Sequence, residues 1–153
     1  MNSKNPMEKI LLIITTITII LSPYKNQPLK LVGAYPSFTR FHITFMNTMS
    51  HGETLDLHCK GNKGDWGLQH LPINVNYTRN FKTVPLMKVY YNCDANWTLG
   101  HITNFQAFID NQKFADIECG GRHCIWKATD LGMYLYQLHD QTFVFKHGWE
   151  PNA

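Results

Sequence analysis

The sequence predicts an all-β fold, an antiparallel β-sandwich of about eight short strands carrying two disulfides. Three observations lead there. Apolar residues recur at every second position through most of the chain, with no 3.6-residue period outside the N-terminus. Turn-forming residues punctuate these runs at spacings of roughly 8–12 residues. Four cysteines, Cys59, Cys93, Cys119 and Cys124, lie downstream of an apolar leader. An even set of cysteines in a small exported domain reads as a disulfide framework.

Residues 1–24 read as a secretory signal peptide. Lys4 and Lys9 form its basic region and residues 10–21 carry no charge. A stretch of roughly 12 residues is too short for a bilayer, which needs about 20. Cleavage is expected between Ser22 and Gln27, so no membrane insertion follows. Residues 25–40, with Lys25, Lys30 and two prolines, read as a flexible lead-in. Residues 41–149 then form one domain, long enough to bury about two thirds of its unfolded surface. The net charge of +3 includes the leader. Without Lys4, Lys9 and Glu8 it falls to near +2 and no basic run remains, which excludes a nucleic-acid footprint.

Phe41, Ile43 and Phe45 alternate with His42 and Thr44, and Leu55, Leu57 and Cys59 alternate with Asp56 and His58, as half-buried strands require. Ser50 and Gly52 mark a turn between them. A polar loop follows at 60–65, with Gly61 and Gly64. A short strand at 66–71 stops at Pro72. In the next strand Val75, Tyr77 and Phe81 share a face, Asn74, Asn76, Thr78 and Asn80 take the other, and Arg79 interrupts the apolar side. That interruption suits a sheet edge. Strands are expected at 88–93 and 97–109 with a turn at 94–96. A turn at 110–113, a strand at 124–128 and a closing hairpin over 132–146 complete the set.

These residues carry a resemblance. Leu55-x-Leu-His-Cys-Lys60, Asp65-Trp-Gly67 with Leu71, Tyr77-x-x-x-Phe81 and Cys93-x-x-x-Trp97 occur in order. Phe105-x-x-Phe108, Cys119-x-x-x-x-Cys124-x-Trp126, Gly132-x-Tyr134 and Lys146-x-x-Trp149 follow. In this succession, from Phe41 to Trp149, the chain resembles the plant self-incompatibility (S-protein homologue) family. Arg79 and Asn92 depart from the pattern, each standing where an aromatic is usual. The resemblance implies a small secreted β-sandwich acting as a non-enzymatic ligand. Its founding members act on incompatible pollen through a membrane receptor. It brings no catalytic residues and no cofactor. Among the three possible pairings it favours Cys59–Cys124 and Cys93–Cys119, a Cys119–Cys124 bond having only Gly-Gly-Arg-His to close over.

The remaining constellations have plainer readings. His58-Cys59 is no catalytic pair if the thiol is oxidised. Cys119, His123 and Cys124 lack the spacing and the second pair of a zinc site. No nucleophile elbow, metalloprotease or phosphate-loop motif is present. Trp66, Trp97, Trp126 and Trp149 could build a sugar-stacking platform, and with the histidines they support the rival reading of an apoplastic carbohydrate binder or hydrolase. Core packing is the expected role of the tryptophans. Two sequons, Asn76-Tyr-Thr78 and Asn96-Trp-Thr98, place asparagine on a polar strand face and in a turn. Recognition of a plant cell-surface receptor by a monomer is expected in two loops, through Lys60, Lys63 and Asp65 and through Asp110, Lys113 and Asp116.

Overall fold

The computed structural model describes residues 38–50 and 52–152. The expected signal peptide and most of the lead-in lie outside these residues. The described chain runs β1 (Arg40–Asn47), β2 (Leu55–Gly61), β3 (Gly64–Leu71), β4 (Asn76–Lys82), β5 (Tyr90–Trp97) and β6 (Gly100–Ile109). A single π-turn (Phe114–Glu118) precedes β7 (His123–Thr129), β8 (Gly132–Gln137), β9 (Thr142–Gly148) and β10 (Glu150–Pro151).

Two five-stranded sheets face each other, one ordered β4-β1-β7-β8-β9 and the other β10-β6-β5-β2-β3. The expected antiparallel sandwich is present, with one exception. β1 and β7 run parallel, Ile43 beside Cys124 and Phe45 beside Trp126. Parallel neighbours need a long crossover, and here β2, β3, β5 and β6 of the second sheet, with β4, are built between them.

The alternation read from the sequence is the core. Phe41, Ile43 and Phe45 are fully buried, as are Leu55 and Leu57 on the facing sheet. Between the sheets Phe108 packs its ring 4.9 Å from Phe41 and 4.8 Å from Phe81. Trp66, Trp97 and Trp126 are buried and Trp149 packs against the core, so the tryptophans build the interior. Arg79 lies exposed on β4, the edge strand where its break in the apolar face is tolerated.

Asn47 shows how the loops are tied down. It is fully buried at the end of β1. Its amide donates to the carbonyls of Glu53 and Leu71, both at 2.8 Å, and its Oδ1 accepts from the Met49 N–H. Asn47→Ala leaves two carbonyls and one N–H without these partners. A loss of about 2 kcal/mol is expected from chemical denaturation.

Three expectations are corrected. The disulfides are Cys59–Cys93 and Cys119–Cys124, not Cys59–Cys124 and Cys93–Cys119. Cys59 and Cys93 stand directly opposite on neighbouring strands of one sheet, with Cα atoms 4.0 Å apart. Cys124 lies on β7 in the other sheet. Gly120 and Gly121, at φ +74° and +124°, let the chain double back so that Cys119 meets Cys124.

The turn expected at 94–96 is part of β5, and the chain reverses at Thr98 and Leu99 instead. Cys93, Ala95 and Trp97 are consecutive inward positions, which carries the strand through. Asp94, which resembles a turn former, serves a bulge. Asp94 accepts the Asn104 N–H at 2.7 Å, where Asn104 takes a left-handed φ of 52°.

The 110–116 stretch is not an open loop. Asn111 accepts the Phe114 N–H and launches the π-turn, whose Phe114 and Ala115 are buried.

A candidate recognition end of the sandwich

The 60–65 segment is a tight hairpin tip. Lys60 pairs with Asp65 and Gly61 with Gly64, leaving Asn62 and Lys63 as the turn. Asn62 fastens it: its amide donates to the Lys88 carbonyl at 2.8 Å and its Oδ1 accepts the Tyr90 N–H at 3.2 Å. Asp65 accepts the Gly67 N–H at 2.8 Å and lies 2.7 Å from His58 Nε2. The Gly67 hydrogen bond first, then His58, hold its carboxyl below the usual carboxylate range. Lys60 stands 3.7 Å from the same carboxylate. These are exposed contacts that shape the tip and add little stability.

The second segment lands at the same end. β5 lies between β2 and β6, so Gly61 opposes Tyr91 while Tyr90 opposes Ile109. The Asp110 N–H bonds the Val89 carbonyl. Lys113, just before the π-turn, and Asp116, on it, are exposed. Asp110 is only 2 % exposed and is corrected as a contact residue. The structure therefore brings Lys60, Lys63, Asp65, Lys113 and Asp116 to one end and removes Asp110.

Sequence reasoning missed the apolar part of this end. Val84 bridges Met87, and the turn thus formed holds Leu86 wholly in solvent at φ 61°, with Met87 half exposed beside it. A leucine in the left-handed region is uncommon. Pro85 before it and Lys88 after it were the only local signals.

Beside the tip, on the outer face of the second sheet, is a shallow polar cleft of about 280 Å³. His58, Tyr90, Asn92, Asp94 and Asn104 line it. Asn92 donates to Asn104 Oδ1 at 3.0 Å. Among the described residues no three of His, Cys, Asp and Glu gather as a metal ion would need, and no helix is long and apolar enough to cross a membrane.

The comparisons with known proteins decide what this frame is. The family model described as plant self-incompatibility protein S1 matches residues 42–149. The chain belongs to that family. S-protein homolog 1 of Arabidopsis thaliana is 30 % identical over 75 % of each chain. S-protein homolog 74 of the same plant is 27 % identical, again over 75 % of each chain. Self-incompatibility protein S1 of Papaver rhoeas is 23 % identical over 72 % of this chain and 78 % of that protein. No solved structure matches. Several strings behind the resemblance are core elements of this S1-family domain: Leu55, Leu57 and Cys59 on β2, Cys93 and Trp97 on β5, and Phe105 and Phe108 on β6.

Two histidines predict how the domain responds to acid. His147 is held below its usual 6.5 by burial first and by the Lys146 charge second. His123 is lowered by burial and then by His42. Folded-state values below the unfolded value mean that the unfolded chain takes up the proton first. The contribution is present above about pH 6.5 and is lost as pH falls through the folded values. Melting temperatures between pH 7.5 and 5.5 should decline less in His147→Gln than in the parent.

Proposed function

We propose that the domain is a secreted, non-enzymatic signalling ligand that binds a plant cell-surface receptor through the end of the sandwich carrying Lys60, Lys63, Leu86 and Lys113. The observation behind this reading is the juxtaposition of a charged hairpin tip with an exposed Leu86 and Met87. An apolar anchor ringed by charge is a common form of protein contact: the anchor supplies affinity and the rim sets association rate and partner choice. Family membership supports a signalling role. Rejection of self pollen and action as a monomer belong to the same proposal.

Asn76 is exposed on edge strand β4 and Asn96 on β5, where it stands opposite Asp56 and His101. We place a glycan first on Asn76, because one on Asn96 crowds the cleft at Asp94 two residues away. Enzymatic deglycosylation of plant-made protein should raise its gel mobility, and Asn76→Gln should abolish most of that change.

The test of function is cell-surface binding. Lys60→Ser/Lys63→Ser/Leu86→Ser should melt within about 6 °C of the parent, since exposed changes typically cost within about 0.5 kcal/mol each. Binding to receptor-bearing cells should fall at least tenfold. Asp65 is left intact because it holds Gly67 and His58. Parental binding by the folded variant sinks the reading. A carbohydrate-binding reading keeps one observation, the cleft with Tyr90 beside His58 and Asp94. It predicts saturable binding of cell-wall oligosaccharides that Tyr90→Ala removes.

A further inference from the structure

A second cleft, of about 360 Å³, opens where β6 and β9 part at the side of the sandwich. Two irregularities converge on it. The first is a bulge. Met133 pairs with His147 and Tyr134 with Phe145, so Lys146 is an extra residue in β9. Regular alternation puts neighbours on opposite faces of a sheet, yet Lys146 and His147 both reach this cleft. His147 lies over the Trp126 ring, with centroids 6.2 Å apart and planes 28° apart. The second irregularity is the π-turn, a rare form that recurs at functional sites. It supplies Glu118, which Lys146 Nζ meets at 3.1 Å, and Phe114; Lys113 adjoins it. The Cys119–Cys124 bond ties its end to β7.

The lining is divided by chemistry. Ile109 and Phe114 give an apolar floor above the buried Trp126 and Leu135, while Lys113, Lys146 and His147 stand around it against the single carboxylate of Glu118. Lys146 is mostly buried, with 22 % of its side chain exposed, so its charge acts in a less screened setting than a surface lysine's. Anion-seeking donors over an apolar floor match a small carboxylate with an aromatic or aliphatic body. The volume lies at the small end of the roughly 300–1,000 Å³ typical of ligand sites.

We infer that this cleft binds a small amphipathic carboxylate, the carboxylate sharing Lys146 with Glu118 and reaching Lys113, the apolar body lying against Ile109 and Phe114 beside the His147 ring. This does not rest on the receptor reading. Proton–nitrogen NMR of the isotope-labelled, disulfide-intact domain tests it, with phenylacetate and hexanoate as probes and neutral phenylacetamide as control.

Both carboxylates should shift the amides of Ile109, Phe114 and Glu118 saturably, with Kd on the order of 1 mM. Phenylacetamide should bind at least tenfold more weakly. Bound carboxylate should also raise the pH at which His147 titrates. Lys146→Met should weaken phenylacetate binding about tenfold and leave phenylacetamide unchanged. Lys113→Met, on the exposed turn, should fold as the parent and weaken phenylacetate severalfold, which keeps the test decisive if Lys146→Met does not fold. No saturation, equal affinity for acid and amide, or parental affinity in Lys113→Met overturns the inference.

Discussion

Replacing Cys59 and Cys93 together with alanine should lower the melting temperature by about 15 °C, against about 8 °C for the Cys119/Cys124 pair. The difference comes from loop length. Cys59–Cys93 spans 34 residues of sequence and Cys119–Cys124 only 5. Constraining the unfolded chain is then worth about 4 kcal/mol for the first bond and about 2 kcal/mol for the second. The long bond also joins two adjacent strands that the fold already pairs, so its removal should leave the native sheet in place while easing unfolding. Calorimetry of both double variants gives the comparison. Peptide mapping without reduction should return a 59–93 and a 119–124 linkage; a 59–124 linkage would refute the pairing. An equal loss in the two variants would show that native-state packing at the sulfurs outweighs loop closure.

Phe108→Ala should cost about 4 kcal/mol, a large share of the 5–15 kcal/mol that holds a domain of this kind together. Phe108 is fully buried on β6. Its ring meets Phe41 and Phe81 of the opposite sheet and lies 5.8 Å from Phe114 of the π-turn. Truncation removes the ring that joins both sheets to the turn, and three aromatic neighbours cannot collapse into the space without leaving their own contacts. The π-turn should loosen first. Amide exchange at Ala115 and Cys119, whose N–H groups bond the Asn111 and Phe114 carbonyls, should quicken more than exchange in β1. A loss below about 1 kcal/mol would mean that the core repacks freely around this position.

Much of this was open to reading because period-two burial is a local property. Phe41, Ile43 and Phe45, or Leu55, Leu57 and Cys59, declare an inward face within a few residues. Arg79 announced an edge strand because a charge on an inward face needs solvent nearby. The turn placed at 94–96 failed for an equally local reason. Asp94 and Asn96 have turn chemistry, but Ala95 is too small to register as the inward residue that continues β5.

The candidate site divided in the same way. Lys60, Lys63 and Lys113 were found as charges near glycines or turns. Asp110 was indistinguishable from them until the fold buried it. Leu86 escaped because a lone leucine beside proline reads as a minor core residue, not as a fully exposed tip.

By itself the sequence determined the fold class, the family, the composition of the core and the identity of the polar segments. The fold class, the core and the polar segments follow from side-chain alternation and residue type along a few neighbouring positions, the family from its resemblance in a succession of short strings along the domain. Only the tertiary structure decided the disulfide partners, the parallel seam between β1 and β7, the gathering of two distant segments at one end, and the cleft where Lys146 meets Glu118. Each depends on which strand lies beside which and on where a bulge shifts the register. Those are long-range pairings, chosen by how the two apolar faces close over one another, and no single strand carries that information.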